Sequence, residues 1–157
     1  MRTGWGLDAH RFSPSGSVKL GGVVVDESIG VEATSDGDVV AHALIDAILG
    51  AAAMGDIGDR YPSDDPRWMR ADSMTMLAGT VADAAAQGFR VTAVDVTVVA
   101  ERVRVAPHRQ AIRAALGAAL GIEIGRVSVK ATTTDGMGFT GGGEGLAAVA
   151  VVVVEES

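Results

Sequence analysis

From Val39 to Ala53 the chain reads Val-Val-Ala-His-Ala-Leu-Ile-Asp-Ala-Ile-Leu-Gly-Ala-Ala-Ala, apolar on every side of a helical wheel apart from single polar breaks. Such a run predicts a helix sunk in a core, stopping at Gly55. The turn Thr34–Gly37 feeds it, and Ser35 with Asp38 has the spacing of a reduced capping box, with Asp where Glu is commoner. Asp38, His42 and Asp46 stand four residues apart and share one face of this helix. A second helix is expected over Asp72–Gln87, where Met76, Leu77, Thr80, Val81 and Ala84 form one apolar face before Gly88. Pro107 opens a third, which Gly121 closes, with His108 as a surface residue of its first turn.

Strand patterns surround these helices. Residues 2–9 read as a strand ending at Asp8-Ala9-His10, followed by a polar loop from Arg11 to Ser17. Val18–Val25 predicts a hairpin about Gly21-Gly22. Phe89–Ala100 and Arg126–Thr133 show β-branched residues with alternation. Leu146–Val154 is apolar without alternation, so both of its faces are expected to be buried. Between Asp56 and Pro66, Gly58, Pro62 and Pro66 exclude regular structure; the acids there are either turn-formers or part of a functional loop. The order predicts one α+β domain over residues 1–157, two layers deep, with a mixed β-sheet and helices on one side.

Composition narrows the function. Hydrophobic residues make up 48% of the 157 and aromatics 4%, so Val, Ala, Leu and Ile must build the core. A formal net charge of −7 argues against nucleic acid or an anionic membrane as partner. It leaves a phosphorylated small molecule open, because a bound metal can overrule the global charge locally. With no cysteine, disulfides and thiolate metal sites are excluded. Leu146–Val154 is far short of the ~20 residues that span a bilayer. Met1–Gly6 has no apolar signal core. The expected location is the cytoplasm.

Two constellations carry candidate chemistry. Asp8 and His10 point to the same side of a strand end, and with His42 they form an O/N/N ligand set. Zinc accepts such a set, and three protein ligands leave its fourth position open for catalysis. Asp46, one turn beyond His42, is placed to hold the other ring nitrogen. On the alternative reading His42 is a core histidine satisfied by Asp38 or Asp46. The second constellation is glycine-rich. Gly136-Met-Gly138-Phe-Thr-Gly141 has the form G-x-G-x-x-G, but the dinucleotide fingerprint must open a helix, and here a Val-rich strand follows. The hydroxyls and N–H groups of Thr132, Thr133 and Thr134 are better suited to cradle a phosphate, and Asp135 to hold a hard cation such as Mg²⁺. The other reading is an ordinary strand end and turn.

Taken together, Asp8-x-His10, Ser35-Asp-Gly-Asp-x-x-x-His42-Ala-Leu-x-Asp-Ala, Gly55-Asp-Ile-Gly, Asp64-Asp-Pro and Ala131-Thr-Thr-Thr-Asp-x-x-Gly-Phe-Thr-Gly resemble the 2-C-methyl-D-erythritol 2,4-cyclodiphosphate synthase family, in order and along essentially the whole chain. Members cyclise 4-diphosphocytidyl-2-C-methyl-D-erythritol 2-phosphate and release CMP in the non-mevalonate route to isoprenoids. They are homotrimers with active sites between subunits. The resemblance implies Zn²⁺ on Asp8, His10 and His42, and a second divalent cation, Mg²⁺ or Mn²⁺, on Asp135 and the substrate phosphates. It implies that Asp56, Ile57 and Gly58 hold the methylerythritol part, bordered by the loop from Tyr61 to Asp65. Ala100, Arg104, Val105, Ala106, Ala131, Thr132 and Thr133 match the pocket that receives the cytidine diphosphate from the adjoining subunit. Ser35, Thr134 and Phe139 fall within the matched motifs as further substrate contacts. Thr34 and Thr133 stand at the catalytic positions.

Three positions depart from the family pattern. Arg104 stands where Lys is usual, and either neutralises a phosphate. Thr34 stands where the family has His, a residue thought to stabilise the transition state; Thr donates a hydrogen bond but carries no charge. Gly142 replaces the Arg associated with phosphate binding and with the axial pore of the trimer. Two alternatives follow: a diverged relative acting on another nucleoside-diphosphate-linked substrate, or a non-catalytic, zinc-stabilised trimeric binding module. Asp135 and Thr132–Thr134 speak against the latter, since a structural zinc needs neither.

Overall fold

In the computed structural model, which describes residues 1–156, five strands form one mixed sheet in the order β4-β1-β7-β5-β6. These are β1 (Arg2–Ser13), β4 (Gly30–Val31), β5 (Phe89–Val99), β6 (Val127–Thr132) and β7 (Gly145–Glu156). β1 and β5 both run antiparallel to β7, while β6 lies parallel to β5. A separate hairpin pairs β2 (Val18–Leu20) with β3 (Val23–Asp26), as the Gly21-Gly22 turn predicts.

Helix α1 (Val39–Ala52) lies across β1 and β7, and Val39, Val40, Leu44, Ile45, Ile48 and Leu49 are fully buried. The contact is close because β1 has no side chain there. A Cβ on Gly6 would stand 2.1 Å from the carbonyl oxygen of Ala43, and one on Gly4 would stand 1.8 Å from that of Ala47. Outside α1 packs α3 (Ser73–Ala86), and α4 (Arg109–Leu120) covers the edge near β6. Gly121, in the left-handed region at φ 68°, ends α4 as expected. No helix of the described residues is long and apolar enough to cross a membrane.

Several expectations need correction. β1 does not stop at His10; it runs on to Ser13, where Phe12 and Ser13 pair with Val31 and Gly30 of the short β4. The stretch Asp56–Pro66 is not structureless: α2 (Ile57–Arg60) starts on an Asp56 cap, and a 3-10 turn (Pro66–Trp68) starts on an Asp65 cap. No capping box forms at α1. Asp38 itself is the N-cap and accepts from the N–H groups of Val40 and Ala41, while Ser35 Oγ accepts from Gly37 N–H. β7 is covered on one face within the chain: Ala148, Ala150, Val152 and Val154 are buried, but Val151 on the other face is 38% exposed. A strand apolar on both sides needs two covers, and a single chain supplies one.

Candidate active site

The strand-to-helix contact brings the first constellation together. Asp8 and His10 leave β1 on the α1 side, and His42 meets them from the first turns of α1. His10 Nε2 and His42 Nδ1 each lie 3.0 Å from Asp8 Oδ2, and the two nitrogens are 3.4 Å apart. Tetrahedral zinc with bonds of about 2.0–2.1 Å holds neighbouring ligand atoms about 3.3–3.4 Å apart, so a small shift fits the triangle to that ion. Among the described residues this is the one cluster of such groups close enough to hold a metal. Burial opposes ionisation of Asp8, but hydrogen bonds from His10 and His42 outweigh it and hold the carboxyl far below the usual carboxylate range. An anionic oxygen between two imidazoles is what a divalent cation requires.

The rest of the polar stripe on α1 serves other ends. Asp38 is fully buried, and its two oxygens also take the amides of Gly21 and Gly22 at 2.9 and 2.7 Å. Burial pushes its pKa up, against the pull of those backbone donors. Asp46, expected behind His42, instead accepts from Ile57 N–H at 3.2 Å and anchors the start of α2. The second nitrogen of His42 faces Ser73 and Ser35. Ser73 was not foreseen; it sits beside Asp72, whose capping of α3 was the stronger local signal.

The triangle opens on a cavity of about 230 Å³. Thr34, Ser35, Ile57, Gly58 and Tyr61, all expected around the substrate, line it with Asp8, His10 and His42. Ser63, from the loop expected to border the substrate, also lines it; Ala33, Trp68 and Met76 complete the wall and were not foreseen. Tyr61 is a fixed part of that wall: its hydroxyl donates to Met76 O at 2.8 Å, and its ring stands edge-on to Trp68. Asp56 and Asp65 lie outside the lining. Asp56 accepts from Asp59 N–H, and Asp65 is engaged by the amide and guanidinium of Arg67. Thr34 is exposed, with its carbonyl held by Arg70 N–H at 2.7 Å.

The second constellation forms a separate cluster at the carboxyl ends of β5 and β6. Ala100 N–H donates to Thr132 O at 3.1 Å, so the segments from Ala100 to Ala106 and from Ala131 to Asp135 lie side by side. Arg104, Ala106, Ala131, Thr132 and Thr133 are exposed, while Ala100 and Val105 are buried beneath them. Asp135 is also exposed, takes a positive φ of 52°, and its Oδ1 accepts from the Thr133 hydroxyl at 3.3 Å. Glu101 occupies part of the expected phosphate cradle: its Oε1 accepts from Thr134 N–H at 3.3 Å and Gly136 N–H at 3.2 Å. The Thr134 hydroxyl is donated to Met137 O. The glycine run opens only the four-residue α5 (Gly138–Gly141), which carries Phe139, 48% exposed, and is followed by β7. A larger cavity of about 530 Å³ beside β6 is lined by Arg109, Arg113 and Arg126, away from the Asp8–His10–His42 cluster.

A mixed-sheet α+β fold that presents a carboxylate and two imidazoles at a cavity mouth defines a protein able to hold one metal ion beside a small ligand. The chain belongs to the YgbB family, whose sequence model matches residues 1–155. It is 49% identical over 158 residues to the 2-C-methyl-D-erythritol 2,4-cyclodiphosphate synthase of Halorhodospira halophila, covering 100% of this chain and 97% of that protein. The enzyme of the same name from Xanthomonas oryzae pv. oryzae is 51% identical over 154 residues, covering 98% and 94%. Among solved structures, the bifunctional IspDF from Campylobacter jejuni superposes with a TM-score of 0.96 at 38% identity, matching 99% of this chain and 42% of that longer one. A 2C-methyl-D-erythritol-2,4-cyclodiphosphate synthase in its CDP-bound form gives 0.90 at 30% identity, covering 98% and 100%.

Proposed function

We propose that this chain is a 2-C-methyl-D-erythritol 2,4-cyclodiphosphate synthase, converting 4-diphosphocytidyl-2-C-methyl-D-erythritol 2-phosphate to the 2,4-cyclodiphosphate with release of CMP. The observation that carries this reading is the Asp8–His10–His42 triangle at the mouth of a small cavity, in a chain that matches full-length relatives of that name. The 2-phosphate oxygen attacks the β-phosphorus, the bond from that phosphorus to the bridging oxygen breaks, and CMP leaves with the electron pair. The attacking oxygen is already anionic, so no protein base is needed. Catalysis of phosphoryl transfer then rests on positioning and charge neutralisation.

Zn²⁺ held by Asp8, His10 and His42 would supply Lewis-acid polarisation of the β-phosphate. Thr34 and Ser35 offer hydroxyls at the cavity rim, and Ile57, Gly58 and Tyr61 shape the part that takes the branched polyol. Thr133 offers a hydroxyl to the reacting group, and Arg104 a cation to the diphosphate. Asp135 supplies one carboxylate, which suits Mg²⁺ or Mn²⁺ completed by substrate phosphates. In this reading the two clusters meet across subunits of a homotrimer, and the exposed apolar face of β1 and β7 supports that assembly.

The test is CMP release from the diphosphocytidyl substrate with Zn²⁺ and Mg²⁺ present, and its loss in His42→Ala. Thr34 lacks the charge that His carries at this position, and one lost electrostatic donor typically costs about 10²–10³ in rate. Thr34→His is therefore expected to raise kcat by up to ~10². Wild type that releases no CMP, beside a Thr34→His, Gly142→Arg variant that does, assigns the present chain to a different nucleoside-diphosphate-linked substrate.

A further inference from the structure

A histidine that binds metal through one nitrogen leaves the other to be satisfied, and whatever holds that second nitrogen selects the tautomer. Here the inward-facing atom of His42 is Nδ1, 3.0 Å from Asp8 and 3.4 Å from His10. Its Nε2 points back into the protein, 2.9 Å from Ser73 Oγ and 3.1 Å from Ser35 Oγ. Ser73 is completely buried at the first position of α3.

The direction of each hydrogen bond follows from the far end of the chain of contacts. The Ser73 hydroxyl donates to Asp36 Oδ1, which also takes Ser73 N–H at 3.3 Å. The other oxygen of Asp36 lies 3.3 Å from Lys19 Nζ and forms an ion pair with it. A carboxylate only accepts, so the one proton on Ser73 Oγ is committed to Asp36. The same oxygen can then only accept from His42, which places a hydrogen on Nε2; on the other side of the ring Nδ1 faces the Asp8 carboxylate, and a metal bound there would take its lone pair. Ser35 imposes no such direction: its oxygen accepts from Gly37 N–H, and its own proton has no anionic acceptor.

We propose that Ser73 and Asp36, backed by Lys19, are positioning residues that hold the Nε2–H of His42, keep its Nδ1 turned toward Asp8 and His10, and so set its affinity for metal. None of the three contributes a ligand. The inference rests on His42 being a metal ligand, and it extends the site to the start of α3 and to the turn before α1. Removing such an outer-shell partner typically lowers metal affinity by 10–100-fold, roughly.

Full-length protein stripped of metal and titrated with Zn²⁺ against a chromophoric chelator reads this directly. Ser73→Ala and Asp36→Asn are each expected to bind about 10–100-fold more weakly than wild type. Ser73→Thr, which keeps the hydroxyl, is expected to retain the affinity. Side-chain ¹H–¹⁵N spectra are expected to show a hydrogen-bonded, exchange-protected Nε2–H of His42 in wild type and Ser73→Thr, and its loss in Ser73→Ala. Unchanged zinc affinity in a folded Ser73→Ala, or an unchanged Nε2–H signal, overturns the proposal. A wild type that takes up no zinc removes the metal assignment itself, a result distinct from a variant that matches a zinc-binding wild type. Asp36→Asn failing to fold leaves the Ser73 pair of variants to decide.

Discussion

At the scale of single residues, Asp38 shows how much one buried carboxylate can organise. Its oxygens cap α1 through Val40 and Ala41 and hold the hairpin turn through Gly21 and Gly22. Truncation to Ala removes an N-cap, worth ~1 kcal/mol, and leaves the buried Gly21 amide without an acceptor, which costs about 1–3 kcal/mol. Asp38→Ala is therefore expected to lower the unfolding free energy by about 2–4 kcal/mol in urea titrations at neutral pH. Burial raises the folded pKa of Asp38 above its ordinary value. Its contribution is thus fully present below the unfolded pKa and declines as the pH rises through the folded one. The gap between wild type and variant is expected to widen in acid; a gap that narrows there contradicts this account. The four-residue spacing of Asp38, His42 and Asp46 was legible in sequence, but spacing fixes a face and not a partner. One residue caps, one joins Asp8 and His10, and one holds Ile57. Ser73 was beyond reach of the same logic, because it meets His42 from a helix far along the chain.

Elements were legible where several turns of periodicity agreed with a terminal signal. The apolar run with Gly55 beyond it located α1, and Pro107 with Gly121 bracketed α4. Elements of one turn or two residues escaped, since α2 and β4 are too short to show a period. Gly4 and Gly6, two residues apart in a strand, did carry a signal: glycine in a strand marks close backbone approach. That approach sets the depth at which α1 sits on β1, and with it the distance between His42 and the strand-borne Asp8 and His10. Gly6→Ala puts a methyl 2.1 Å from a backbone carbonyl of α1, which no side-chain rotation relieves. The helix must move. The expected outcome is a loss of about 1–3 kcal/mol, as in other overpacked contacts, seen as a lowered thermal midpoint, together with weaker Zn²⁺ binding. Stability and zinc affinity both equal to wild type would show that the close contact does not set the site.

The whole molecule poses the question that one chain leaves unfinished. Trp5 lies directly across from Val151 and Leu7 from Val149, on the sheet face turned away from α1. Trp5 is 60% exposed and Leu7 52%, a contiguous apolar strip of the kind that marks an interface. The Asp8–His10–His42 triangle and the Asp135 cluster sit in separate places on the same chain, and each is half of the proposed site. A cyclic trimer that buries the strip and sets one chain's triangle against its neighbour's Asp135 answers both observations through one heterologous contact. Light scattering at micromolar concentration is expected to give three times the 15.9 kDa of one chain. Val151→Asp is expected to reduce that mass and abolish CMP release while Zn²⁺ binding survives, because the ligands lie on the opposite face. Complementation then tests the sharing itself. His42→Ala and Asp135→Ala are each expected to be inactive alone. Refolded together at equal amounts, they place an intact His42 against an intact Asp135 at one interface in about four, so about a quarter of wild-type activity is expected to return if assembly is random. No recovery from mixed trimers, or CMP release by a 15.9 kDa wild type, would place both halves of the site on a single chain.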